Sequence, residues 1–313
     1  MRWGNVDSKL RVYKELKSTL ERIKPEIIFC HGFHFLNVRV VANYVRKHNA
    51  NLFVDNHCDS SNSGTNWLSI NILHKLLWRH CAHILEPYTI KFYGVLPARV
   101  DFLTEVYKLS KEKCELLVMG ADDELVEVAS KPEVRKAIRE KYYIAEDDFL
   151  VMTGGKIDAF KTQTLLLMEA VHKIDNLKVK LIVFGSVTKE LMDKVQALAD
   201  GVKVQYIGWI DAKDSYEYFA AADLVVFPGR HSVFWEQVVA QGIPMLVKDW
   251  PGTHHVDVGG NIDFLHDDSV EEIERKLRNL LEHPEQYAQM KSIAMEKGRS
   301  EFLYSEIARR SIQ

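Results

Sequence analysis

No stretch of this 313-residue chain approaches the roughly 18 to 20 uncharged residues that a membrane-crossing helix requires. Its longest apolar runs, such as LIVFG and DLVVFPG, are strand-sized, so no membrane span is expected. The opening MRWGNVDSKLRVYKEL is charged from its start and lacks the apolar centre of a secretion signal, which points to a cytoplasmic chain. Cysteine is scarce. Cys30, Cys58, Cys81 and Cys114 are far apart, lie in apolar surroundings and form no Cys-x-x-Cys pair, so buried free thiols are favoured over disulfides or a zinc site. Fixed-period repeats and low-complexity segments are absent, which excludes solenoid and fibrous architectures. No Asp-x-Asp follows a candidate strand, so the usual carboxylate pair for a divalent cation is missing.

What is present is the composition of a globular protein: 47% hydrophobic and 27% charged residues, enough for one large core or two ordinary ones. The net charge of -3 conceals an asymmetry. Met1 to Asp122 carries 17 Lys and Arg against 12 Asp and Glu, and the remainder is acidic. A basic front half could attract an anionic surface or acceptor, with ordinary solvated charge as the competing reading.

Short apolar runs alternate with amphipathic stretches, the pattern of strand and helix units around a parallel sheet. The pattern occurs twice. EIIFCHG, NLFVDNH, HILEP and CELLVMG read as strands of a first series, with helices in LNVRVVANYVRKHN, TNWLSINILHKLLWRHCA and PARVDFLTEVYKL. A charged stretch without strand signal, residues 123–147, reads as a connector. FLVMTGG, KVKLIVFGS, KVQYIGW, ADLVVFPG and IPMLVKD form a second series with helices between them, and the tail is helical. The expected fold class is therefore α/β, with two Rossmann-like doubly wound parallel-sheet domains. Ligands of such sheets bind outside the carboxyl ends of the strands, so the loops after strands are where functional residues should lie.

Two such loops stand out. In VMTGGKIDAFKTQTLLLMEAV a strand ends in Gly154 and Gly155, and Lys156 and Lys161 follow before a helix opens near Thr162. Close backbone approach, a helix start and two ammonium groups build an anion site able to neutralise a diphosphate without metal; ordinary surface lysines are the alternative. In YIGWIDAKDSYEYFAAADLVVFPGRHSVFWEQVVAQGIPMLV, one strand ends at Gly208 and another leads into Arg230, His231, Ser232, Val233 and Phe234. Ser232 is a plausible N-cap. Glu236 lies in the first turn that follows, where it either faces the crevice to bond ribose hydroxyls or simply satisfies the helix dipole.

These two segments, in this order and spacing, resemble the donor half of the retaining GT-B glycosyltransferases of the family 4 or group 1 type, which include sucrose synthases and bacterial lipopolysaccharide and capsule transferases. The resemblance implies that Lys156 and Lys161 hold the donor diphosphate, and that Gly154, Gly155, Gly208, His231, Ser232, Val233, Phe234 and Glu236 form the rest of the donor site. EQVVAQGIP matches the family ending E-A-x-A-x-G-x-P, with Gly242 and Pro244 in place. The family's second glutamate falls on Gln237, beside Glu236, and its first falls on Gly229. The segment CELLVMGADDELV is similar to the family strand ending in N-G-V-D, matching at Gly120 and Asp122. NLFVDNHCDSSNS resembles the strand ending in H-D on the acceptor side, which makes His57 and Asp59 candidate catalytic residues. His31 and His34 are weaker candidates, and His57, Cys58 and Asp59 are not expected to bind metal because no partner cluster accompanies them in sequence.

By this resemblance residues 1–122 form the acceptor-side domain, shortened at its front and completed by the C-terminal helix 296–313, and residues 148–295 form the nucleotide-sugar donor domain. The implied reaction moves a sugar with retention from a nucleoside-diphosphate sugar to a glycan or lipid-linked acceptor, with no cofactor, no metal and no nucleic acid. The alternatives are a glycoside hydrolase, a nucleotide-sugar epimerase of the same fold, and a non-catalytic nucleotide-sugar-binding or partner protein. Peripheral membrane contact is a further expectation. It rests on the basic first half and on Trp67, Trp78, Lys75, Arg79 and Lys91 within an apolar segment, although burial of one stripe against the sheet explains much of that apolarity.

Overall fold

The computed structural model describes residues 11–313. They divide into two compact units, one reaching to Val118 and including Arg309–Gln313, the other spanning Met119–Ala308. Each unit is built on a wholly parallel sheet, as in GT-B proteins.

In the first unit β1 (Ile27–His31), β2 (Asn51–Asn56), β3 (Thr89–Gly94) and β4 (Cys114–Leu116) lie side by side in chain order. One face of the sheet, carrying Leu52, Val54, Phe92 and Cys114, packs under Val38, Val41 and Val45 of helix Val38–His48 and under Cys81, Ala82 and Leu85 of helix Arg79–Leu85. The strand expected at HILEP is displaced. His83–Leu85 continues the preceding helix, and the strand is TIKFYG, whose β-branched and aromatic residues suit a pleated surface.

The second unit orders its strands β10-β9-β8-β5-β6-β7, with β5 at Phe149–Gly154, β6 at Val179–Phe184, β7 at Val204–Tyr206, β8 at Leu224–Phe227, β9 at Met245–Lys248 and β10 at Ile262–Leu265. β10 is only four residues long and was not expected from the sequence. The chain starts in the middle at β5, winds outward through β6 and β7, then returns to the other side at β8. This reversal opens a crevice between the carboxyl ends of β5 and β8, the place where doubly wound sheets bind ligands. The stretch read as a connector forms helices Asp123–Ala129 and Pro132–Lys141 within this unit. Arg139 fixes the second of them, bonding Asp223, Ala221 and the carbonyls of Ala145 and Asp148. Of the C-terminal segment, Arg309–Gln313 groups with the first unit, where the Tyr93 hydroxyl donates to the Arg310 carbonyl.

Candidate functional site

The loops after β5 and β8 meet at the point where the strand order reverses. Around a small opening there stand Gly154, Gly155, Lys156, Lys161, Thr164, Gly229, Arg230 and Ser232. Backbone conformation makes this approach feasible. Gly155 has φ +132°, and a Cβ on Gly185, itself at φ +127°, would sit 1.9 Å from the Gly155 carbonyl oxygen; neither position accepts a side chain without strain. Three cations thus border one opening. Lys156 pairs with Asp158 at 3.2 Å, and the Arg230 guanidinium stacks over the Phe160 ring at 5.8 Å. Helix Gln163–Lys173 begins at this rim, with Thr164 among the lining residues. A concentration of positive charge at the carboxyl end of a parallel sheet, beside a helix start, is suited to a diphosphate. Arg230 was named in the sequence only as part of a loop. Its position immediately after Pro228 and Gly229 at a strand end was the signal that it joins the lysines.

The remaining donor-side candidates do not all reach this opening. Gly208 follows the outermost strand, β7, and its carbonyl accepts the Gly185 N–H at 2.7 Å, a structural task. Val233 is exposed, and Phe234 packs on Phe184 and Phe219 at 6.1 and 5.3 Å. The helix starts at Phe234, two residues beyond Ser232, and the Ser232 hydroxyl accepts the Phe234 N–H at 3.3 Å.

Glu236 corrects an expectation. Its carboxylate faces inward and is fully buried, with Oε1 bonded by His231 Nε2 and His255 Nε2, each at 2.8 Å. Burial pushes this carboxyl up, but the two imidazoles prevail and hold it at about 2. Among the described residues, Oε2 and His255 Nδ1 are buried without a hydrogen-bond partner. A ribose contact by Glu236 would have to displace an imidazole or open this enclosure. What the triad does as it stands is tie the β8 loop, through His231, to the turn His254–Val256. Gln237, at the family's second glutamate, is buried too and bonds Ser215 and Gln241.

In the first unit His57 has partners that the sequence did not reveal. Asp55 Oδ2 lies 2.8 Å from His31 Nδ1 and 3.1 Å from His57 Nε2, because β1 and β2 pair in parallel with His31 opposite Asp55. One ligand-capable atom from each of the three falls within 4.8 Å of the others, and the same holds for His231, Glu236 and His255. The reasoning that His57 lacks a cluster is therefore overturned. Asp59 is a second correction. Its Oδ1 accepts from Ser61 N, Ser61 Oγ and Asn62 N, and its Oδ2 from Arg99 Nε at 3.0 Å. Burial alone would raise it, but the bonds from Ser61 and Arg99 bring it below the ordinary aspartate value. Both of its oxygens are engaged in shaping the loop, which makes it a poorer candidate for proton transfer than the sequence suggests. His34 is buried against the Tyr107 hydroxyl at 2.8 Å, and loss of solvent lowers it to about 3, so it stays neutral and structural.

Comparison with known proteins bears on the family and the fold. Residues 134–297 match the model of "Glycosyl transferases group 1". Mannosylfructose-phosphate synthase of Agrobacterium fabrum is 22% identical in an alignment of 253 residues that covers 76% of this chain and 53% of that protein. The chain thus spans about half the length of this curated relative. Among solved structures, HepE of Anabaena in complex with UDP and glucose superposes with TM-score 0.67 at 16% identity, covering 98% of this chain and 81% of the other. A putative UDP-N-acetylglucosamine 2-epimerase from Listeria monocytogenes superposes with TM-score 0.66 at 13% identity, covering 99% and 79%. Since a UDP complex of HepE and a putative epimerase superpose almost equally well, these superpositions speak for the fold alone. Family membership comes from the sequence model, which spans just over half of the chain and contains both loops of the three-cation opening: this protein belongs to the group 1 glycosyl transferases.

Proposed function

We propose that the protein moves a sugar, with retention and without a metal ion, from a nucleoside-diphosphate sugar to a glycan or lipid-linked acceptor. The observation that carries this reading is the convergence of Lys156, Lys161 and Arg230 on one opening at the switch point of the second sheet. Fixed cations at that place stabilise the charge that develops on a departing diphosphate, as an added divalent ion otherwise would. In the retaining course, the acceptor hydroxyl attacks on the face from which the diphosphate leaves, and a departing phosphate oxygen takes its proton. No enzyme nucleophile is then needed. On the acceptor side the role falls to His57, whose ring Asp55 orients, and no longer to Asp59. HepE was crystallised with UDP, which makes UDP-sugars the first donors to test.

The experiment is a thermal-shift panel of UDP, GDP, ADP and their sugars, followed by transfer or hydrolysis assays with excess chelator. A donor that stabilises the fold and is turned over in chelator with its anomeric configuration kept supports the proposal. A panel with no stabilising nucleotide defeats it. A second reading, a nucleotide-sugar binder without turnover, is favoured by Gly229, which borders the opening where the family places its first glutamate. Tight UDP binding with neither hydrolysis nor transfer would select that reading.

A further inference from the structure

The segment from Trp67 to Arg79 has two apolar faces, and the fold uses one of them. Ser69–Trp78 is wound as a π-helix that continues into helix Arg79–Leu85. Ile70, His74 and Trp78 turn toward the core. His74 is buried, with Nε2 3.0 Å from the Ser63 hydroxyl and Nδ1 2.7 Å from the Tyr107 hydroxyl, and Ile70 and Trp78 pack on the core cluster. Leu68, Ile72 and Leu76 fall two residues out of step with that row and stand on the opposite side. They are 62%, 42% and 61% exposed, and Leu73 and Trp67, flanking them, are 42% and 71% exposed. Scattered exposed leucines are ordinary, but five large apolar side chains in a ten-residue stretch form a ridge that marks an interaction surface.

Charge identifies what the ridge meets. Between Asp59 and Glu86 the sequence has no acidic residue, while Lys75, Arg79, His80 and His83 are all present. Lys75 is exposed on the ridge and bonds Asn71 Oδ1, and among the described residues it pairs with no carboxylate. A second copy laid on this face would bring Lys75 against Lys75 with no carboxylate in the segment to relieve them. A bilayer offers hydrocarbon for Leu68, Ile72, Leu73 and Leu76, an interfacial level for the Trp67 indole, and phosphates for Lys75. We infer that this ridge docks the first unit onto an anionic lipid surface, lying in the interface plane. The inference stands on the first unit alone and goes beyond the transfer reaction, naming the surface at which the protein resides.

The test uses the whole chain with vesicles of phosphatidylcholine, with and without phosphatidylglycerol, in a sedimentation assay at low and high salt. Co-sedimentation with the anionic vesicles is expected, weakened by salt. Leu68→Glu combined with Leu76→Glu should lower the partition coefficient about 100-fold or more. Lys75→Gln should lower it about 5-fold on anionic vesicles only. Leu177→Glu, at an exposed leucine of the second unit, should change nothing. Wild-type protein left in the supernatant with both vesicle types overturns the inference. So does a concentration-dependent dimer, seen without lipid, that the Leu68 and Leu76 changes abolish. UDP affinity measured on the same samples keeps the two ideas apart: UDP binding without vesicle binding sinks only the docking surface, and the converse sinks only the transferase reading.

Discussion

Lys161→Ala is the sharpest test of the donor site, because the three cations at the opening are not equivalent. Lys156 is partly neutralised by Asp158 at 3.2 Å and its side chain is 59% exposed, and an exposed pair of this kind is worth at most about 1 kcal/mol. Arg230 already rests on the Phe160 ring. Lys161 is half-buried at the same opening and forms no ion pair among the described residues, so its charge is directed at the ligand with the least competition. Losing one charge-assisted hydrogen bond to phosphate costs about 1 to 3 kcal/mol, which corresponds to a rise in the UDP dissociation constant of about 5- to 150-fold. Lys156→Ala should cost less. Asp158→Asn should tighten binding a few-fold, since the amide oxygen can still accept the Phe160 N–H at the same place while Lys156 is released. Isothermal titration with UDP at two salt concentrations measures all three variants, and the salt dependence should shrink in the two lysine variants. If Lys161→Ala binds UDP as wild type does, or Asp158→Asn binds it more weakly, the diphosphate does not sit at this opening and the reasoning fails.

Glu236→Gln removes the carboxylate that two imidazoles share in a buried site, and breaking such a pair costs about 3 to 5 kcal/mol; the melting temperature should fall by about 10 °C, and an unchanged value would mean that the triad contributes nothing to stability. Because His34 is held at about 3 in the folded chain against an ordinary 6.5, its contribution is whole above pH 6.5 and is lost as pH falls, by about 1.4 kcal/mol per pH unit. Denaturant unfolding of wild type and His34→Gln across that range should show the steeper acid loss in wild type, and parallel curves would refute the assignment. Gly185→Ala would bring a Cβ to 1.9 Å from the Gly155 carbonyl oxygen, so both UDP affinity and melting temperature should drop together; retention of both would show that the glycine loop tolerates displacement.

Much of this architecture was legible before any coordinates. A parallel strand covered on both faces reads as an unbroken apolar run, and such runs ending in glycine or polar residues gave nine candidate strands. The lysines of the β5 loop could be singled out as candidates because they stand close together in sequence, on one glycine-rich turn before one helix, and the structure places both at one opening. What the sequence could not determine depends on residues far apart along the chain. That Arg230 joins Lys156 and Lys161 follows from β8 lying next to β5, a matter of strand order. The pairing of Asp55 with both His31 and His57 comes from the register of two parallel strands, and the turning of Glu236 inward depends on His255 arriving from another loop. Asp59 looked free because its partners Ser61 and Arg99 declare themselves only once the loop closes. The segment around Leu68 and Leu76 shows the same limit. Periodicity shows that a helix is apolar, but when it is apolar on two sides, only packing decides which side the core takes and which is left to the surroundings.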